Sequence, residues 1–89
     1  MTCYIVTFEV ETKETRDKLR EALKKYRSFC PIHRYCWAIM TDEKASQVRS
    51  DLSLLLQPTD RLFVIRSGTE AAWFNSYGEK NDTWLKKNL

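Results

Sequence analysis

Glycine and proline are scarce in this chain, two of each among 89 residues. That scarcity argues against collagen-like repeats, Pro/Gly-rich disorder and Gly-rich phosphate loops. No apolar run approaches the roughly 20 residues that a membrane-spanning helix needs. Met1-Thr2-Cys3-Tyr4 lacks the basic stretch that opens a signal peptide. The expectation is a cytoplasmic protein with no membrane partner. Length is short too: one domain spanning residues 1–89, burying about 60–65% of its unfolded surface and leaving little room for a deep pocket. Neither sign of charge is in large excess. A net charge of +3 permits nucleic acid as a partner without requiring it.

Cysteine occurs three times, at Cys3, Cys30 and Cys36. An odd count without a secretory leader disfavours a disulfide framework. Cys30-Pro-Ile-His33-Arg-Tyr-Cys36 does gather zinc-type ligands at close spacing. In an extended chain, however, His33 points to the face opposite both cysteines. No fourth ligand lies nearby in sequence, unless Cys3 supplies one from a neighbouring strand. The thiols are therefore expected to behave as small hydrophobes.

Along the chain, Cys3–Val10 is β-branched and aromatic on both faces and reads as a central strand. Thr12 is a suitable N-cap for a helix over Lys13–Arg27. Its apolar stripe is Leu19, Ala22, Leu23 and Tyr26. Pro31 ends that segment, and His33–Met40 is extended. The region Phe29–Met40 reads as one strand, or as two joined by a bend. Thr41 is a candidate cap for a second helix with a stripe of Ala45, Val48, Leu52 and Leu55. Gln57-Pro58 ends it. Leu62–Arg66 is a short strand, Ser67-Gly68-Thr69 a loop, and Ala71–Phe74 a short strand or an irregular packed segment. Lys80–Leu89 forms a closing helix. With two strands in Phe29–Met40 the order is βαββαβ, an α+β ferredoxin-like plan with an antiparallel sheet and both helices on one face. Its other sheet face is bare, and surplus aromatic surface suits a homodimer interface. The tail from about residue 76 to 89 is expected to dock on its own or the partner subunit.

Cys36-Trp37-Ala38-Ile39-Met40-Thr41, Asp60-Arg61-Leu62-Phe63-Val64-Ile65, Glu70-Ala71-Ala72-Trp73 and Thr83-Trp84-Leu85-Lys86-Lys87-Asn88-Leu89 resemble the corresponding segments of the small SinR-like proteins. Those are similar in turn to the CRISPR-associated subunit that bridges the spacer integrase, and to VapD-type toxin ribonucleases. The resemblance implies a ferredoxin-like homodimer. In the CRISPR-associated relatives an acidic residue ends the first strand, and the pair across the dimer axis holds a divalent metal. Glu9 stands there in this chain, where the family generally has Asp. Glutamate is also a hard oxygen ligand for Mg²⁺, on a longer stem.

Four groups of residues are candidates for function. Glu9 is a catalytic and metal candidate, for a weak metal-dependent endonuclease or ribonuclease. His33, the one histidine in the sequence, is a candidate general acid or base beside it. Arg16, Arg20, Lys24 and Arg27 form a basic stripe suited to the phosphates of DNA or RNA. Trp37, Trp73 and Trp84 are candidates for the dimer interface. No set of acid, base and metal ligands converges in sequence, which favours a binding or scaffold protein over an enzyme. A protein-interaction module without nucleic acid is the third reading.

Overall fold

The computed structural model describes residues 1–68 and 70–89. The loop read at Ser67-Gly68-Thr69 therefore lies partly outside the described residues. In chain order the elements are β1 (Thr2–Glu9), α1 (Lys13–Leu23), β2 (Ser28–His33), β3 (Cys36–Thr41), α2 (Ala45–Ser53), β4 (Arg61–Arg66) and α3 (Glu79–Asn88). Phe29–Met40 thus holds parts of two strands, joined at Arg34-Tyr35. The chain is α+β. Its four strands form one sheet in the order β2-β3-β1-β4 with every neighbouring pair antiparallel. β1 and β2 consequently run the same way with β3 between them. β3 and β4 do likewise around β1. Among the described residues, no helix is long and apolar enough to cross a membrane.

Strand alternation sorts the sheet into two faces. Tyr4, Val6 and Phe8 of β1 share a face with Trp37 and Ile39 of β3 and with Leu62 and Val64 of β4. Leu19 and Leu23 of α1 and Val48 and Leu52 of α2 pack on that face. Burying each such side chain contributes about 1.5–3 kcal/mol. The Tyr4 hydroxyl donates to the Glu43 carbonyl at 2.9 Å, tying β1 to the entry of α2.

α1 follows its sequence signals at its start better than at its end. Thr12 is extended, and its Oγ1 accepts the Thr15 N–H at 3.1 Å, so α1 starts where the cap predicts. It stops at Leu23, four residues before the expected Arg27. The N–H groups of Lys25 and Tyr26 bond three residues back, to Ala22 and Leu23, and tighten the chain into β2. Thr41 does not cap α2 either. It is buried at the end of β3, where its Oγ1 accepts the Glu43 N–H, and α2 begins four residues later. Ala71–Phe74 contains no strand.

The second face is not bare, because α3 lies on it. Cys3, Cys30 and Ala38 pack there against Leu85 of α3, flanked by Ile5, Ile32, Met40, Trp73, Trp84 and Leu89. Small residues at Cys30 and Ala38 let the helix approach. Side-chain hydrogen bonds fix it in place: Trp84 Nε1 to Ser28 Oγ at 2.8 Å, and Asn81 Nδ2 to the Pro31 carbonyl at 3.0 Å. Gly78, with φ of 146°, opens α3 in a conformation that favours glycine. α3 lies over the β2 side of the sheet and leaves the β4 side open, with Phe63 and Ile65 exposed.

Candidate functional site

Two surfaces carry the charged residues singled out in the sequence. One is a groove of about 760 Å³ at the end of β1, lined by Glu9, His33, Tyr35, Asp60, Arg61 and Phe63 among others. Glu9 and His33 come together here because β1 ends beside the β2–β3 turn. The Phe8 N–H donates to the Tyr35 carbonyl at 3.0 Å, and the two rings meet edge to face at 6.1 Å. The antiparallel register sets Arg61 opposite Glu9. Arg61 Nη1 lies 3.4 Å from Glu9 Oε1, with both side chains exposed to solvent. His33 Nδ1 accepts a long hydrogen bond, 3.4 Å, from the Tyr35 N–H. Asp60 is already engaged: its two oxygens accept the N–H groups of Glu11 and Gln57 at 3.1 and 2.9 Å.

The groove therefore offers one exposed carboxylate with an arginine partner, one histidine and two exposed aromatic rings. No group of three or more His, Cys, Asp or Glu side chains suited to a metal occurs among the described residues. Cys30, His33 and Cys36 do not converge. Both cysteines are buried while His33 is exposed. Burial pushes all three thiols above their ordinary range, and the nearby Cys30 adds to the effect at Cys3.

The other surface is α1, where the structure divides the basic stripe. Lys24 is the helix C-cap and pairs with Glu21 at 3.2 Å. Arg27 lies beyond the helix. With Lys25 and Tyr26 it lines a cleft of about 490 Å³ that also holds Asp42, Glu43 and Asp51. Burial, together with Glu43 and Asp51, raises the Tyr26 hydroxyl to a pKa of about 12. Arg16 and Arg20 remain, one turn apart, on the flank of α1 turned away from Ala22 and that cleft.

The tryptophans are held within the chain. Trp37 is 5% exposed and stacks on Phe29 at 5.7 Å, beneath the α1–α2 layer. It is a core residue, and its assignment to a dimer interface is corrected accordingly. Trp73 donates to Asp82 Oδ1 at 2.7 Å and, like Trp84, is half-buried against α3's own sheet face. Tyr35, Asp60 and Arg61 are the groove residues that the sequence reading missed. Compared with family models and with curated proteins, the chain matches none.

Proposed function

We propose that the chain is a homodimeric nucleic-acid-binding scaffold, SinR-like and similar in fold to the CRISPR-associated spacer-acquisition adaptor. One observation carries the reading. Residues 13–27 hold seven Lys or Arg against three Asp or Glu, a local +4 in a chain of net +3. Glu14, Asp17 and Glu21, the acids of that stretch, are taken by Lys18, Lys13 and Lys24. Arg16 and Arg20 have no ion-pair partner among the described residues, so phosphates meet them uncontested. Two copies double that field. The ferredoxin-like assignment draws on the same features: the order βαββαβ, two crossovers that each span one intervening strand, and α1 and α2 on one face. α3 is then an addition on the other face.

An electrophoretic mobility shift at low salt tests the reading. The wild-type chain should retard DNA or RNA, with retardation falling as salt rises. R16E/R20E should weaken it strongly, and the salt slope should shrink by about 1 for each phosphate contact removed. A shift unchanged in the double variant overturns the reading. No shift at all points to a protein-interaction module instead.

The second reading, a weak nuclease on DNA or RNA, draws on the shared groove of Glu9 and His33. Glu9 would hold Mg²⁺, which supplies an activated water for phosphodiester hydrolysis. A single carboxylate already facing Arg61 is a thin ligand set, and binding is therefore the favoured reading. Cleavage that needs Mg²⁺ or Mn²⁺ and vanishes in Glu9→Ala would reverse that order.

A further inference from the structure

We infer that two copies of this chain join along the outer edge of β4, strand to strand, in one continuous sheet. The inference rests on the homodimer reading above and names the surface it uses. β4 stands last in the sheet order, with β1 on one side and, among the described residues, no strand on the other. Alternate residues of β4 therefore present an unpaired row of backbone N–H and C=O groups. Beside that edge, on the face away from α1 and α2, Phe63 is 59% and Ile65 50% exposed. The cluster under α3 takes in Ile5 but reaches neither of them. An open edge flanked by large exposed apolar side chains marks a surface that pairs.

The strand is its own best complement. Two identical antiparallel strands in one sheet are related by a two-fold axis normal to the sheet. That axis keeps each face on its own side, so opposing residues share a face and the register centres on a residue. Centred on Val64, Phe63 stands opposite the partner's Ile65, and Ile65 opposite the partner's Phe63. These are aromatic–β-branched pairs of the kind that stabilise sheets. Arg61 then meets the partner's Ser67, and Arg66 the partner's Leu62. No arginine faces another across the junction. The register centred on Phe63 sets Phe63 against the partner's Phe63 and Ile65 against the partner's Arg61, and so loses both aromatic–β-branched pairs.

Opposing residues in antiparallel pairs have Cα atoms about 4.5–5.5 Å apart, within the disulfide range of about 4.4–6.8 Å. The test mixes F63C chains with I65C chains, lets subunits exchange and oxidises them with copper phenanthroline. Cys3, Cys30 and Cys36 are buried and do not compete. Light scattering of the wild-type chain first gives the assembly state. A mass of twice 10.6 kDa, with a covalent dimer from the mixture and none from either variant alone, supports the pairing. A dimer whose mixture fails to crosslink, or whose F63C chain crosslinks by itself, overturns it and leaves the homodimer reading standing. A monomer overturns both. Both substitutions lie at exposed positions, and melting curves matching wild type show that the variants fold.

Discussion

Replacing Leu85 by alanine measures how firmly α3 holds the second sheet face. Leu85 is 1% exposed and meets Cys3, Cys30 and Ala38. Leucine-to-alanine changes in cores cost about 2–5 kcal/mol, more when the cavity cannot close. Here the surrounding Trp73, Trp84 and Leu89 are only partly buried, so they can settle inward. The lower end applies, about 2–3 kcal/mol. Alanine is as good a helix former as leucine, so the change tests docking and not the helix itself. In a domain of this size, 1 kcal/mol moves Tm by about 4–8 °C, which places the variant about 8–24 °C below wild type. Thermal melts by circular dichroism read the shift. Urea titration should show a lower midpoint at unchanged slope. A loss below about 1 kcal/mol, with tryptophan emission unchanged, would refute the placement of α3 on the sheet.

Two further outcomes follow from groups near α3. The Trp73 indole, with help from Lys86, holds the Asp82 carboxyl below the ordinary aspartate range. Its contribution to stability is present above the unfolded-state value and disappears as pH falls through the depressed folded-state value. NMR titration of Asp82 should show the low midpoint, and Trp73→Phe should return it toward the ordinary range. An unmoved midpoint would discount that hydrogen bond. Burial raises the three thiols, so Ellman's reagent at pH 8 should react slowly with the native chain and with all three cysteines after denaturation. Rapid labelling of Cys3 or Cys30 in the folded chain would show that the cluster under α3 is open.

Local signals in the sequence carry the element order well. Thr12 announces α1, the two-faced apolar run announces β1, and Val48 and Leu52 announce the buried side of α2. What they do not carry is set by contacts between distant residues. Tyr26 continues the apolar stripe because its ring still packs on the core, although the backbone has already turned toward β2. The β2–β3 turn at Arg34-Tyr35 contains none of the Gly or Asn residues that usually mark a tight hairpin. α3 has Trp84 and Leu85 side by side, and only the small residues of a face elsewhere in the chain select where it lies. The groove is the same case at longer range. Glu9 and Arg61 lie 52 positions apart, and only the sheet register makes them neighbours.

The two borders of the sheet are unequal. β2 carries Pro31, which has no N–H to offer, and its ladder shifts register between Pro31 and His33. Asn81 of α3 occupies the Pro31 carbonyl. β4 has no such obstruction. Fibre growth by strand addition needs an acceptor at both borders, because each newcomer must offer a fresh template to the next. A molecule with one usable border can take on a single neighbour and then has nothing left to offer. Should β4 take a second copy, the irregularity in β2 would leave that pair without a further border to extend.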